Sequence, residues 1–263
     1  MRRPPRRGAL RALSALATLL WLLLAGFTIT AIYFVAAGAV WARLSEPFFI
    51  PDYDRGLLKL IVGVVVENQA VFDLMNVGAE GLLWDHLGNL LYSNSTPLYF
   101  VGVGGKVSFD LSFCLNLTEL ALDPATAYLM TERALLNVSI SLHMIYAYIF
   151  PTEANVSLVT GWGPPLSGLR ARLSPGPLPD TTRVMVAFMN SAPFWFKGKV
   201  KAYLYGDGGL LASGETQVTA HRDEERHLSV LLPINMDNLP EHYRLVLVFD
   251  TNMFYFTWEW EYG

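Results

Sequence analysis

The sequence predicts a mostly β protein: an N-terminal transmembrane helix followed by two immunoglobulin-like antiparallel β-sandwich domains, with a short helix in the first. Three observations predict this class. Residues 12–42 contain no charged side chain, much of the remaining chain alternates apolar and polar residues, and glycine-rich or Asp/Asn turns separate the alternating runs. Short alternating strands at this spacing are typical of antiparallel sandwiches.

The uncharged segment is long enough to be a membrane anchor. It has 31 residues, whereas a helix needs about 20 apolar residues to cross the hydrocarbon core. Basic residues favour the cytoplasmic side, so residues 1–11 are predicted to be a cytoplasmic tail and the C-terminal bulk to be extracytoplasmic, with the lipid bilayer as a partner of residues 12–42. The alternative is a cleaved signal peptide, whose apolar core is shorter, about 7–15 residues. The basic residues before the segment are Arg2, Arg3, Arg6, Arg7 and Arg11.

The charge of the predicted ectodomain argues against one class of partner. Of the 19 basic residues, five precede the helix, which leaves 14 against 23 acidic residues in the remainder. Nucleic-acid binding relies on basic side chains that neutralise phosphates. We therefore expect no nucleic-acid partner, and the lipid bilayer and a protein of the cell envelope remain as candidates.

The first β domain is predicted at residues 59–173. Residues 43–58 before it contain the proline- and aromatic-rich Glu46–Asp54 and predict a short stalk. The first predicted strand is a β-branched run with apolar residues at alternate positions: Leu60, Val62, Val64 and Val66.

A short helix is predicted within this domain. Asp123 is a favourable N-cap and Pro124 suits the first helical position. Ala125–Leu136 then contains helix formers, so the sequence predicts a helix here that lies across an end or edge of the first sandwich.

The second β domain is predicted at residues 182–263, after a Pro/Gly-rich linker at residues 174–181. Turns at Gly206–Gly209 and Asp250–Asn252 separate its strands. The alternating apolar sets are Val184, Val186, Phe188; Val200, Ala202, Leu204; Leu228, Val230, Leu232, Ile234; Leu245, Leu247, Phe249; and Phe254, Phe256, Trp258, Trp260.

The two predicted domains resemble each other. Residues 66–72 can be laid over 188–194, and residues 88–93 over 208–213. In both halves a strand ends in asparagine, an aromatic residue follows four positions later, and a hairpin turn leads into Leu-Leu-x-Ser. We predict two copies of one β domain, with convergent strand and hairpin chemistry as the alternative.

The order of strand, asparagine, aromatic residue and glycine turn around Asn68 and Asn190 resembles the water-stress and hypersensitive-response (WHy) domain of late-embryogenesis-abundant (LEA) proteins. The resemblance covers residues 59–120 and 182–235. The chain departs from the family where Ser191 follows Asn190, since the family commonly has Asn-Pro. The resemblance implies immunoglobulin-like sandwiches, a secreted or membrane-tethered protein and an association with stress tolerance, with no catalytic residue to carry over.

Two sets of residues are candidate surface sites. Four Asn-x-Ser/Thr sequons follow the predicted anchor and are candidates for N-glycosylation in an exported domain: Asn94, Asn116, Asn137 and Asn155. Large aromatics in the second half are candidates for contact with a partner or sugar, with a place in the sandwich core as the alternative: Trp195, Phe196, Trp258 and Trp260.

Motifs for catalysis or cofactor binding are weak. Residues 100–107 lack the first glycine and the hydroxyl residue of a phosphate-binding loop and predict a hairpin loop. Residues 221–227 combine two histidines and three acids, but their two arginines favour a solvated turn over a metal site. Asp52 and Asp54 beside Arg55 are similarly read as polar surface, and Cys114 as an unreactive thiol on the polar side of a strand. We predict no metal, cofactor or catalytic residue.

Three classes of function remain, in order of preference. The first is a structural or protective module of the cell surface without enzymatic activity. The second is an interaction subunit of a cell-envelope complex, which would expose an apolar patch or sheet edge. The third is a ligand-binding or hydrolytic ectodomain, which would have a concave pocket with convergent polar groups.

Overall fold

The computed structural model describes residues 6–262, with side chains from residue 12 onward. This part of the chain is mostly β, with four antiparallel sheets, one long N-terminal helix and one short helix. The helices are α1 (Arg6–Ala36) and α2 (Leu117–Leu122). The strands are β1 (Val40–Leu44), β2 (Phe48–Asp52), β3 (Leu57–Asn68), β4 (Leu74–Asp85), β5 (Leu90–Ser95), β6 (Tyr99–Val101), β7 (Lys106–Asn116), β8 (Ala134–Tyr146), β9 (Phe150–Trp162), β10 (Ser167–Pro175), β11 (Thr182–Asn190), β12 (Phe196–Gly206), β13 (Gly209–Ala220), β14 (Glu224–Leu232), β15 (Tyr243–Thr251) and β16 (Tyr255–Tyr262).

The sheets occur in two pairs along the chain. In the first sheet β3 is central, with β7 on one side and both β1 and β2 on the other. The second sheet has the order β5-β4-β8-β9, and β6 also pairs with β4. The third has the order β10-β11-β14 and the fourth β13-β12-β15-β16. β4 and β12 therefore hold equivalent positions, as do β3 and β11.

The central strands β3 and β11 end in the same hydrogen-bond arrangement. Asn68 and Asn190 are both fully buried. In each, Oδ1 accepts from the backbone N–H two residues later at 3.1 Å, and Nδ2 donates to the carbonyl four residues later, on Phe72 or Phe194. The two asparagines therefore occupy equivalent hydrogen-bond environments.

The predicted alternating runs form strands with one buried face. In β3 every second residue from Leu58 to Val66 is buried, and β7, β11 and β12 follow the same period. β15 differs, because it is buried on both faces from Leu245 to Phe249. The third and fourth sheets face each other across this core: the rings of Phe188 and Phe249 lie 5.7 Å apart. Burying one such side chain stabilises the fold by about 1.5–3 kcal/mol.

The predicted stalk at residues 43–58 is wrong, because most of this segment belongs to the first sheet. β1 pairs Val40 with Asn68, and β2 pairs Phe48 with Ile61. Proline in β2 is tolerated because β2 is an edge strand, where one side of the backbone needs no partner. The predicted helical span of residues 12–42 likewise ends early, at Ala36, because β-sheet pairing begins at Val40.

The predicted helix at Ala125–Leu136 is also wrong. The short helix is α2, which lies before this segment: Asn116 is its N-cap and Asp123 its C-cap. Pro124 disfavours helical backbone in the residue before it, and Leu135 and Leu136 lie in β8. A 3₁₀ turn covers only Ala127–Met130.

The predicted linker at residues 174–181 does not separate the halves. It connects β10 to β11, which pair in the third sheet, and a hairpin turn has the same Pro/Gly composition as a linker. The chain instead crosses between the sheet pairs at residues 163–166. There the N–H of Ser191 donates to the carbonyl of Pro164 at 3.0 Å, so the crossing segment is bonded to the second half.

The two halves contact each other at the end of β3 that is far from α1. The rings of Tyr53 and Trp195 lie 4.7 Å apart. The N–H of Tyr255 donates to Oγ1 of Thr118 at 3.1 Å, which joins α2 to β16. An aromatic contact and a hydrogen bond from a backbone N–H to a side-chain hydroxyl therefore connect the two sheet pairs.

Candidate functional site

The helix α1 enters the first sheet without a spacer. Its C-terminus is a Schellman motif, in which the N–H of Ala39 donates to the carbonyl of Phe34 and the N–H of Gly38 to that of Val35. Gly38 has φ +73°, a conformation that costs little only in glycine. The carbonyl of Ala39 then accepts from the N–H of Gln69 at 2.8 Å. The last turn of the helix is thereby hydrogen-bonded to the loop after β3.

The C-terminal part of α1 packs against loops of the first half. The ring of Phe27 lies 4.8 Å from that of Phe72 and 6.1 Å from that of Phe150, and Ala31 is 1% exposed. An apolar groove of about 250 Å³ runs between α1 and the start of β9. The helix in the range Ala12–Ala36 is otherwise mostly exposed, and it is long and apolar enough to cross a membrane.

The four sequon asparagines have different environments. Nδ2 of Asn94, the atom that a glycan would modify, donates to the carbonyl of Ser112 in the facing sheet at 2.7 Å. Asn116 caps α2, and its Nδ2 donates to Glu119. Asn137 and Asn155 are exposed on β8 and β9. These last two are the exposed sequon asparagines, and Nδ2 of Asn155 donates to Oε1 of Glu153 at 3.3 Å.

The predicted interaction aromatics are not brought together. Phe196 is fully buried, so of the two interpretations the place in the core is correct for this residue, which starts β12. Trp258 and Trp260 are half-buried and pack against the core from the inner face of β16. Trp195 lies at the contact between the halves, where it stacks on Tyr53.

A wide concave surface of about 600 Å³ lies at one end of the fourth sheet. The rings of Tyr243 and Tyr262 stack there at 5.1 Å, and the guanidinium of Arg244 lies 5.1 Å from the ring centroid of Tyr205. Burial and the neighbouring Tyr262 raise the pKa of Tyr243. This surface combines aromatic faces with charged groups of both signs, Arg244 on one hand and Asp207 and Glu261 on the other.

The histidine-containing segment at residues 221–227 forms a turn and the start of β14. Its acids contact its own basic residues: Arg226 lies 3.0 Å from Glu224, and His227 lies 3.3 Å from Glu225. Among the described residues no group of three or more His, Cys, Asp or Glu side chains is placed to hold a metal. Asp52 is similarly paired, with Lys59 at 3.4 Å.

The glycine-rich residues 100–107 form a turn, but the predicted hairpin is wrong. β6, before the turn, pairs with β4, whereas β7, after it, pairs with β3. The turn therefore crosses from one sheet to the other. Its carbonyls at Val101 and Gly102 accept hydrogen bonds from Nδ2 of Asn68 at 3.2 Å, which gives the segment a structural role.

A buried carboxylate that the sequence analysis missed lies at the end of β4. Asp85 accepts hydrogen bonds from the N–H groups of Leu87 and Asn89, from Asn89 Nδ2 and from the hydroxyl of Tyr128. Burial alone would raise the pKa of Asp85, but these hydrogen bonds outweigh it and lower the pKa below its ordinary value of 3.8. Burial and the bond to Asp85 raise the pKa of Tyr128. The signal in the sequence was the turn-forming run from Asp85 to Asn89.

The outer face of the second sheet carries exposed apolar residues around one sequon. In the register, Trp84 and Val159 flank Asn137 on the neighbouring strands. Val159 is 60% exposed and the nearby Leu135 is 57% exposed. We call the following residues the outer patch: Leu82, Trp84, Leu90, Leu135 and Val159.

Comparisons with known proteins give no assignment. No family model and no curated protein matches the chain. Among solved structures, a protein described as ApaA from Bordetella pertussis is 10% identical, with 48% of this chain and 94% of that chain covered and a TM-score of 0.31. Red sea bream transglutaminase is 13% identical, with 86% of this chain and 32% of that chain covered and a TM-score of 0.30. The Amycolatopsis orientalis exo-chitosanase CsxA is 15% identical, with 81% of this chain and 26% of that chain covered and a TM-score of 0.25. The chain spans about a third or less of these two enzymes, and likeness at this level carries no argument about function.

Proposed function

We propose that this chain is a single-pass, membrane-anchored protein whose two immunoglobulin-like β sandwiches form an extracytoplasmic structural or protective module without enzymatic activity. The N-terminus would be cytoplasmic and the sheets outside the cell membrane. The resemblance to the WHy domain of LEA proteins belongs to the same proposal, since that family is associated with stress tolerance and not with catalysis.

The observation that carries the proposal is the direct connection between α1 and the first sheet. A signal peptide that is removed after export has no need of hydrogen bonds to the mature fold. Here the helix end is capped and bonded to Gln69, and the ring of Phe27 contacts Phe72. Retention of the helix as an anchor would preserve these contacts.

The repeated asparagine arrangement supports the tandem-domain part of the proposal. Asn68 and Asn190 stand at equivalent ends of equivalent strands, and the two sheet pairs share one strand order. Both asparagines bond to backbone and not to an open surface, so they serve folding. A module of this kind would act through its shape and surface.

The first experiment is purification of the full chain from its native membrane in mild detergent after light cross-linking, followed by mass spectrometry. A monomer or homo-oligomer of full-length protein supports the proposal. Loss of the N-terminal segment from the purified chain contradicts the anchor. A stoichiometric partner contradicts the self-sufficient module and favours the second candidate function.

That second candidate is an interaction subunit of a cell-envelope complex, and the outer patch favours it. Apolar residues that share one solvent face of a sheet are a common feature of protein contact surfaces. The substitution Leu135→Glu would place a charge in the patch and should abolish cross-linking to such a partner. Leu178→Glu, at an exposed turn of the second half, is the matched control and should leave cross-linking unchanged.

A further inference from the structure

Exposed apolar side chains surround the place where α1 leaves the first half. They come from three separate segments of the chain: the loop after β3, the segment from β6 to the following turn, and the β8–β9 turn. Their exposed fractions lie between 46% and 63%. We call these residues the collar: Val71, Phe100, Val103, Tyr148 and Ile149.

One carboxylate fixes two of these segments to each other. Oδ1 of Asp73 accepts from the N–H of Val103 at 3.1 Å, and Oδ2 accepts from the hydroxyl of Tyr148 at 2.6 Å. The backbone carbonyl of Asp73 also accepts from the N–H of Ala147 at 3.2 Å. The apolar side chains therefore project from segments that are held in place by hydrogen bonds.

The contacts of α1 give the height of this end of the fold relative to a membrane. A helix crosses the hydrocarbon core with about 20 residues, so an anchor that enters at Ala12 leaves the core near Ala31. Phe27 lies four residues earlier, about 6 Å deeper along the axis. Its ring contacts Phe72 and Phe150, so the loops beside the collar reach the depth of the bilayer boundary.

We propose that the collar inserts into the extracytoplasmic leaflet of the phospholipid bilayer around the exit point of α1. The inference rests on the proposed membrane anchor and adds a second contact with lipid, made by loops of the first half. The loops that carry Val71 and Ile149 are followed directly by Phe72 and Phe150, which contact Phe27 of α1. An apolar groove of about 250 Å³ lies between Ala31, Val35 and Phe150. Aromatic and aliphatic side chains at this depth match the composition of membrane-interface residues.

The test uses the full chain with Cys114→Ser, reconstituted in phosphatidylcholine vesicles. Single cysteines are introduced at Ile149 or Val103 and labelled with an environment-sensitive fluorophore. Lipids that carry a nitroxide near the headgroup should quench both labels, with a blue shift of their emission. Leu178→Cys, in the exposed turn at the far end of β11, should show neither effect, and Leu20→Cys in mid-helix reports insertion of the anchor itself.

The outcomes separate the two proposals. If the label at Leu20 is quenched by deep nitroxides while labels at Ile149 and Val103 behave like the one at Leu178, the collar proposal is overturned and the anchor stands. If the label at Leu20 is not quenched, the anchor fails and the collar proposal fails with it. Quenching of the labels at Leu20, Ile149 and Val103 supports both the anchor and the collar proposal.

Discussion

Replacement of Asn190 by alanine should destabilise the protein far more than removal of an exposed amide. Asn190 is fully buried, and its side chain makes three hydrogen bonds to backbone groups, on Ala192, Phe194 and Ala220. Leaving a buried donor or acceptor unpaired costs about 1–3 kcal/mol. Three backbone groups lose their partner, at about 1–3 kcal/mol each, and the recovered desolvation cost of the side chain offsets part of this, so we expect a net loss of about 2–4 kcal/mol.

This loss can be measured by thermal unfolding of the full chain in nanodiscs, followed by tryptophan fluorescence. A loss of this size lowers the Tm by about 5–15 °C in a domain of this size class. Asn68→Ala should behave alike, because its side chain bonds to equivalent groups. The control is Gln217→Ala, which removes an exposed amide from β13 and should leave the Tm nearly unchanged. A Tm for Asn190→Ala equal to that of the control would refute the reasoning.

Three further predictions concern other parts of the molecule. Gly38→Val should lower the stability of the helix end by about 1–2 kcal/mol, because Gly38 has a left-handed backbone. Protease cleavage between α1 and β1 should therefore become faster. The control Gly26→Ala, with open space around the residue, should leave the cleavage rate unchanged. In a host that glycosylates, peptide mass spectrometry should find glycans at the exposed Asn137 and Asn155. It should find none at Asn94 and Asn116, whose amides are half-buried and hydrogen-bonded, and occupancy of these two would contradict the prediction. The depressed pKa of Asp85 stabilises the fold above pH 3.8, its ordinary pKa, and this contribution is lost as the pH falls through the lower folded value. Asp85→Asn should therefore lower the Tm at neutral pH, and the Tm of the variant should fall less steeply in acid than that of the unsubstituted protein. The same dependence of Tm on pH in both proteins would contradict this prediction.

The sequence predicted the strands well where one face is buried. The predicted alternation from Leu60 to Val66 and from Val184 to Phe188 is present in the fold, because burial on one side of a sheet imposes a period of two. The paired asparagines were also visible, since each follows such a run. Both signals depend only on residues that are near each other in the chain, so they can be recognised in a single sequence.

The errors arose where one local signal fits two structures. Proline and aromatic residues at Pro47–Tyr53 are compatible with a stalk or with an edge strand, and only the pairing of β2 with β3 decides between them. The Pro/Gly run at residues 174–181 fits a linker or a hairpin. Asp123-Pro124 fits the start of a helix or its end, and the capping of α2 by Asn116 decides for the end.

The candidate sites were harder to predict because they depend on contacts between distant segments. The depth of a side chain in the core cannot be read from its type, so Phe196 and Trp195 looked alike although one is buried and the other lies between the halves. The collar combines residues around positions 71, 100 and 148, which only the folded sheets bring together. No spacing rule in the sequence connects them.

The absence of a spacer between α1 and β1 has a mechanical consequence for an anchored protein. The central strand β3 begins near the contact between the halves and ends at Asn68, next to the helix. Its 12 residues span about 40 Å at about 3.3 Å per residue. With α1 in a bilayer, the first pair of sheets would itself take the place of a stalk and hold the second half about that far from the lipid. A flexible linker allows a module to sample many heights and tilts, whereas a capped helix end and a paired strand restrict both. A surface module of this construction would therefore present its second half at a fixed distance from the membrane.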